Sequence, residues 1–416
     1  MSERLPLQMI GGLVVGLVLG VIAHLLLGGS AFLEGLVHYV VEPIGQIFLR
    51  LLFMLVIPLV ISALALSVAE LGDLRQLGRV GAKTFAYTIV VSTIAVGIGV
   101  GLVNLVQPGK GLPPDVMERL HAGAAAAPTS SSVGKSGVDF LIGLVPSNVV
   151  KAMSEGDMLA LMVFAVIFGI GLAMTPGEPA RRLEEVLRGL FEVTMRLLAM
   201  VIRAAPLGVA CLVFVLATRL GLEVFRQLAV YVAVVLAGLA LQQFVVYSAS
   251  VAWLGGMSPR FFFRGAWAAT LTAFSTASSS ATLPTALYVA ENELKLPTRV
   301  SRFVLTIGST ANQNGTALFE GVTVLFLAQV FGVDLTLGQQ ITVAFICILG
   351  GVGTAGVPAG SIPVVAMILG IVGVPPDGIA IVLGVDRLLD MCRTAVNVTG
   401  DLAAAVVVSR GEPAQG

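Results

Sequence analysis

The sequence predicts an all-α polytopic membrane protein. Only 12% of its 416 residues are charged while 57% are hydrophobic, against the ~25% charge usual in a soluble domain. Apolar stretches close to the ~20 residues that cross a bilayer recur along the chain. Lys+Arg and Asp+Glu both number 24, so no net field favours nucleic acid or an acidic partner. Cys211, Cys347 and Cys392 are scattered through apolar segments, too few for a disulfide framework or a metal site.

Residues 7–28 are apolar and have the length of a signal peptide. The preceding residues carry one cation, Arg4, beside Glu3, and no small-x-small cleavage site follows, which favours a retained first helix. Further apolar stretches cover 40–69, 84–107, 158–175, 189–218 and 227–254. Residues 108–157, with Gly, Pro, Ala, Ser and scattered charge, read as an exposed loop leading into a broken helix. The connections 70–83 (Arg75, Arg79, Lys83) and 176–188 (Arg181, Arg182, Arg188) are basic, whereas 29–38 has no Lys or Arg. The positive-inside rule then puts the amino terminus and both basic connections in the cytoplasm. Lys110, Arg119 and Lys135 run against this, in a long loop where the rule weakens.

Beyond residue 255 the pattern changes. Arg260, Arg264, Lys295, Arg299 and Arg302 bracket the apolar stretch 265–294, whose middle reads Ser275-Thr276-Ala277-Ser278-Ser279-Ser280-Ala281-Thr282-Leu283-Pro284. Hydroxylated residues followed by Pro suit a turn that opens a second half-helix, so this is a hairpin re-entering from the cytoplasm. Residues 338–374 repeat the logic with flanks free of Lys and Arg and a centre Gly350-Gly351-Val352-Gly353-Thr354-Ala355-Gly356-Val357-Pro358-Ala359-Gly360, a hairpin entering from outside. Two interrupted segments, each followed by a full span, point to inverted repeats with a site near the midplane.

Between the hairpins, 299–331 holds Thr310-Ala311-Asn312-Gln313-Asn314-Gly315-Thr316. Three amides beside a glycine predict local unwinding, with carbonyls free for a hard cation such as Na⁺; a polar helix–helix contact is the plainer alternative. In the last span, about 379–408, Asp386, Asp390, Arg393, Asn397 and Asp401 recur at intervals of 4, 3, 4 and 4, an arc of roughly 80°. A charge at the bilayer centre costs at least ~2.5–3.5 kcal/mol on insertion scales. The stripe therefore faces a polar partner, a ligand or water; a structural salt-bridge ladder is the plainer alternative.

Ser278-Ser279-Ser280-Ala281-Thr282-Leu283-Pro284, Asn312-Gln313-Asn314-Gly315-Thr316, Gly353-Thr354-Ala355-Gly356-Val357-Pro358 and Asp390-Met391-Cys392-Arg393-Thr394-Ala395-Val396-Asn397-Val398-Thr399-Gly400-Asp401 together resemble the glutamate transporter family, the dicarboxylate/amino acid:cation symporters, along nearly the whole chain. The resemblance implies eight transmembrane helices plus two re-entrant hairpins in a homotrimer of the cell (inner) membrane, with both termini cytoplasmic. It further implies a scaffold of residues 1–76 and 127–221, and a transport domain of 77–126 and 222–416 that moves like an elevator.

By the same resemblance, Arg393 matches the residue that pairs with the substrate's side-chain carboxylate, and Asp390 the one that receives its ammonium. Thr316, Thr394 and Asn397 match further substrate contacts. Ser278, Ser279 and Ser280 supply backbone and hydroxyl groups to the α-carboxylate, and Val357 and Ala359 lie on the outer hairpin that gates the site. Retention of both Arg393 and Asp390 implies L-aspartate or L-glutamate, since neutral amino acid relatives replace the arginine and C4-dicarboxylate relatives lack the aspartate. Asp401, with carbonyls of Gly308, Asn312 and Asn397, matches one Na⁺ site; Thr310, Gly351, Val352 and Thr354 match a second.

The departures bear on coupling. Asn314 replaces the aspartate of the family's Asn-Met-Asp-Gly-Thr, and Val91 stands beside Ser92 where relatives carry a second hydroxyl. A third Na⁺ site at Ser92 and Asn314 is therefore expected to be absent or weakened. Glu320 matches the proposed proton carrier of eukaryotic members, and a carboxylic acid within the membrane suits proton binding; a helix-packing hydrogen bond is its plainer role. Ala277 replaces the inner-hairpin arginine of archaeal relatives, Met391 stands where eukaryotic members have an equivalent one, and Arg387 is the available substitute. Na⁺ coupling, Na⁺ with H⁺, and H⁺ alone all stay open, as does a C4-dicarboxylate substrate. An intramembrane enzyme is disfavoured: a nucleophilic serine needs a base in reach, yet no His follows His121 and Lys295 is the only lysine after Lys151. A passive channel is disfavoured by the charged substrate constellation.

Overall fold

A computed structural model describes residues 5–27, 30–71, 79–111, 145–155, 158–220, 223–353 and 360–411. Among them every regular element is helical. In chain order the main helices are α1 (Leu5–Leu27), α2 (Glu42–Phe53), α3 (Val56–Leu71), α4 (Arg79–Val106), α5 (Met158–Met174), α6 (Glu178–Arg203) and α7 (Ala205–Leu220). They continue with α8 (Glu223–Leu241), α9 (Pro259–Thr276), α10 (Ser279–Tyr288), α11 (Thr298–Ala311), α12 (Asn314–Val330), α13 (Leu337–Gly353), α14 (Ser361–Ile371) and α15 (Ala380–Ser409).

The stretches expected at 40–69 and 189–218 are each broken. In the first, helix stops at Phe53 and resumes at Val56, because Pro58 has no N–H for the Met54 carbonyl. In the second, Pro206 does the same to Ile202, and the axes of α6 and α7 bend by 57°. The basic segment 176–188 is not a loop but the start of α6. Its residues are strong helix formers, and Arg182–Glu178 (3.4 Å) and Arg188–Glu184 (3.0 Å) pair one turn apart, which supports helix by a few tenths of a kcal/mol per pair. The stretch expected at 227–254 is helical to Leu254, with α8 continuing through two π-helical turns. Most of the expected loop at 108–157, and residues 72–78 of the other basic connection, lie outside the described residues.

α1 packs along α7 through a row of small residues. Gly12 lies on the Pro206 carbonyl, Gly16 on that of Ala210, and Gly20 against Phe214 and Ala217, so a Cβ at any of the three would collide. Backbones approach this closely in membranes only where side chains are small. Gly16→Leu is therefore expected to separate the two helices and to lower the melting temperature in detergent, with overpacking costing ~1–3 kcal/mol; an unchanged melting temperature would refute the contact.

α9 and α10 form the first helix pair. Ala277 turns the chain with φ 48°, the left-handed region, and Ser278 caps α10 by accepting the Ala281 N–H at 3.2 Å. Pro284, expected to open the second half-helix, sits inside it; the cap, not the proline, starts the helix. Of the segment expected to form the outer hairpin, α13 and α14 are described, whereas Thr354, Val357 and Ala359 lie outside the described residues. α11 and α12 are one span interrupted at Asn312 (φ −107°, ψ 64°) and Gln313 (φ −98°, ψ 56°), the unwinding expected from the amide cluster. α15 is unbroken for 30 residues and packs against α9, α11, α12, α7, α8 and α1. It is the central post on which the site is built.

Candidate functional site

The stripe on α15 is wholly buried: Asp386 3%, Asp390 3%, Arg393 2%, Asn397 1% and Asp401 2% exposed. Burying a charge is costly unless it is paired and hydrogen-bonded; Asp386, Asp390 and Arg393 are paired with one another, whereas Asp401 accepts a hydrogen bond from the Asn312 amide. Arg393 Nη1 donates to Asp386 Oδ1 at 3.0 Å and its Nη2 to Asp390 Oδ1 at 2.9 Å. The guanidinium also lies 4.2 Å from the ring centre of Phe319 on α12, a cation–π contact that fixes its plane. Arg387, itself buried, donates from Nη1 to Asp390 Oδ2 at 3.4 Å. Two guanidiniums and two carboxylates thus neutralise one another on a single helix face. Arg393 and Asp390, expected to grip opposite ends of one substrate, here hold each other.

The break between α11 and α12 meets this stripe. In a continuous helix the N–H groups of Gly315 and Thr316 would close on the carbonyls of Ala311 and Asn312. Instead they donate to Asn397 Oδ1 at 2.7 and 3.3 Å. Asn397 Nδ2 donates to Thr316 Oγ1 at 2.9 Å and to Gln313 Oε1, while Gln313 Nε2 reaches the Ser309 carbonyl at 3.0 Å. One carboxamide therefore holds the loose ends of the broken helix, and Gly315 allows the approach, since a Cβ there would lie 2.7 Å from the Arg393 carbonyl. Thr394 is buried one residue beyond Arg393.

Of the expected first cation site, Gly308, Asn312 and Asp401 are brought together. Asn312 Nδ2 donates to Asp401 Oδ1 at 2.9 Å, and the same oxygen would lie 2.6 Å from a Cβ on Gly308. Asn312 Oδ1 is buried with no hydrogen-bond partner among the described residues, an acceptor oxygen left over beside a carboxylate and suited to a hard cation. The Gly308 carbonyl accepts the Asn312 N–H at 2.9 Å. Of the second, Gly351 packs where its Cβ would be 3.4 Å from the Gln313 carbonyl, so the end of α13 meets the break. Thr310 turns its hydroxyl to the Ile307 carbonyl at 3.0 Å, leaving its own carbonyl as the group a cation would use. Val352 lies within α13.

At the third position the amide is satisfied from within the protein. Ser92 Oγ donates to Asn314 Oδ1 at 2.6 Å, and Asn314 Nδ2 donates to the Tyr247 hydroxyl at 3.2 Å. Val91 is buried among apolar neighbours. Glu320 on α12 is fully buried; a Cβ on Gly350 would lie 3.0 Å from its Oε2, so the acid faces α13. At the turn between α9 and α10 Ser278 serves as the cap, Ser279 Oγ is buried with no partner among the described residues, and Ser280 is exposed.

Four neighbours of these groups have no role that the sequence shows. Asp386 stands visibly in the stripe, but nothing in its spacing distinguishes a brace for Arg393 from a ligand. Phe319, Gln313 and Tyr247 meet Arg393, Asn397 and Asn314 only through tertiary contact.

A buried charged face on one helix, met by a broken helix and by a helix pair with a serine-capped turn, is the arrangement of a secondary transporter of the broken-helix type. Residues 5–411 match the model of the sodium:dicarboxylate symporter family, and the chain belongs to that family. It is 35% identical over 398 residues to a proton/sodium-glutamate symport protein of Geobacillus stearothermophilus, covering 96% of this chain and 93% of that one. It is 36% identical over 409 residues to a proton/glutamate-aspartate symporter of Escherichia coli, covering 97% and 92%. With a C4-dicarboxylate transport protein of Rhodospirillum rubrum it shares 33% identity over 416 residues, covering 98% and 90%.

Proposed function

We propose that this protein is a secondary active symporter that takes up L-aspartate and L-glutamate, driven by Na⁺ at one or two sites and by H⁺ through Glu320. The observation that carries the reading is the buried pairing of Arg393 with Asp390 (2.9 Å): a guanidinium for a distal carboxylate and a carboxylate for an ammonium, one turn apart. A substrate entering between them exchanges this internal pair for two external ones. Arg393 keeps Asp386 as a brace, and its planar fork binds the distal carboxylate in two places. Asp390 keeps Arg387 and takes the ammonium, so Arg387 stands in for the arginine missing from Ala277 and Met391. The α-carboxylate meets Ser278 and Ser279, while Thr316, Thr394 and Asn397 complete the contacts; Val357 and Ala359 belong to the outer gate. Na⁺ binds at Asp401 with Gly308, Asn312 and Asn397, and at the carbonyls of Thr310, Gly351, Val352 and Thr354. The architecture read with this function is the eight-span, two-hairpin, homotrimeric elevator, with its termini in the cytoplasm.

Arg387 also favours a second reading. A carboxylate already held at 3.4 Å by a guanidinium makes a weaker ammonium site, which would admit C4-dicarboxylates beside the amino acids.

The test is uptake of radiolabelled L-aspartate into proteoliposomes under a Na⁺ gradient, and separately under a pH gradient without Na⁺, with succinate and malate as competitors. Uptake under the Na⁺ gradient with weak competition is expected; no aspartate uptake under either gradient, with succinate transported instead, would replace the first reading by the second. Glu320→Gln is expected to remove pH-gradient drive while leaving Na⁺-driven uptake within about twofold of the parent, because the amide keeps the packing but carries no proton. Persistence of pH-gradient drive in that variant would rule out Glu320 as the carrier.

A further inference from the structure

The chain has two tryptophans, and both are exposed. Trp253 is 79% exposed at the end of the helical run that begins with α8, and Trp267 is 64% exposed on α9. Arg410 Nη1 fixes the first by donating to the Trp253 and Leu254 carbonyls at 2.8 and 2.9 Å. On α9 the residues Arg260, Arg264, Trp267 and Leu271 are all exposed, and at 100° per residue they fall within an arc of roughly 60°. Along the axis they rise about 16 Å from first to last at ~1.5 Å per residue, in the order cation, cation, indole, aliphatic. That is the order in which a bilayer changes from headgroup through interface to hydrocarbon.

Neither arginine has an ion pair among the described residues. The nearby Glu293 lies beside Gly265, its Cβ 3.6 Å from where a Gly265 Cβ would stand, without joining them. Unpaired guanidiniums one and two turns below an exposed indole leave a positive, planar, donor-rich surface at headgroup depth, which matches phosphate geometry. We infer that this face of α9 binds the phosphate of an anionic phospholipid headgroup through Arg260 and Arg264, with Trp267 set at the interface above it. The inference rests on residues 265–294 entering the bilayer as a hairpin, and it is independent of which substrate is carried.

The two tryptophans supply the readout. Trp253→Phe leaves Trp267 as the single emitter in the full-length protein, reconstituted in phosphatidylcholine with a minor fraction of acyl-dibrominated lipid. Dibrominated phosphatidylglycerol is expected to quench Trp267 at a lower mole fraction than dibrominated phosphatidylcholine, by about fivefold for each arginine engaged, and the preference should shrink with salt. In R260Q/R264Q, which alters only exposed side chains, the two lipids should quench alike. Equal quenching in the parent, or an undiminished preference in the double variant, would overturn the proposal. So would the absence of quenching by either lipid, the result expected if a second copy of the chain covers this face.

Discussion

Arg393→Cys is expected to abolish the proposed uptake of L-aspartate and L-glutamate and to favour neutral amino acids in their place. The expected size follows from burial. Arg393 is 2% exposed and carries both Asp386 and Asp390; truncating one partner of a buried charge pair costs ~2–5 kcal/mol, and each 1.4 kcal/mol is about tenfold in affinity. Substrate affinity should fall at least about 25-fold. Part of that cost is not recognition, because the cysteine leaves two buried carboxylates short of a cation, so the variant is also expected to melt earlier. Arg393→Lys separates the two effects. It keeps the charge between Asp386 and Asp390 but loses the planar fork and the stacking on Phe319, so thermal stability should recover most of the way while aspartate binding stays lost. Thermal unfolding and radiolabelled uptake on the same preparations decide this, and near-parental aspartate uptake by Arg393→Cys would sink the substrate assignment.

Those residues are legible in the sequence for a physical reason. Charge is expensive inside a membrane, so Asp386, Asp390, Arg393 and Asp401 on one apolar helix have no trivial explanation, and their spacing alone puts them on one face. The break at Asn312–Gln313 is legible likewise, because amides and glycine compete with helix. Contacts whose second half lies elsewhere are not. Gly12, Gly16 and Gly20 recur every four residues, yet nothing in α1 says that the backbone they need is that of α7. The bend before α7 escapes a hydropathy reading, which averages over Pro206. Between α9 and α10 the eye falls on Pro284, whereas the chain turns on Ala277, a residue with no preference for the left-handed region it occupies. The charged start of α6 reads as a connection because helix and loop are equally polar where a helix leaves the membrane; the pairs at i and i+4 are the better guide.

Asn314→Asp is expected to restore a cation site. The parent amide is held on both sides: its oxygen accepts from Ser92 at 2.6 Å and its nitrogen donates to Tyr247 at 3.2 Å, and Asn314 itself is fully buried. An aspartate of the same shape keeps the Ser92 bond and turns the Tyr247 hydroxyl into a donor, but adds a buried negative charge that two hydroxyls do not neutralise. Na⁺ is the available compensation, and Val91 limits how well the site can be completed. Without Na⁺ the variant should melt below the parent; with Na⁺ the gap should close, because an ion bound only by the folded state stabilises it by ~2.7 kcal/mol at 100 times its Kd. The dependence of aspartate affinity on Na⁺ concentration should steepen by about one ion, since the added site is linked to the substrate through Gly315 and Asn397. Isothermal binding of L-aspartate across a Na⁺ series, with choline holding ionic strength constant, measures that slope. An unchanged slope together with a melting temperature indifferent to Na⁺ would refute Asn314 as the cause of the proposed loss of a third Na⁺ site.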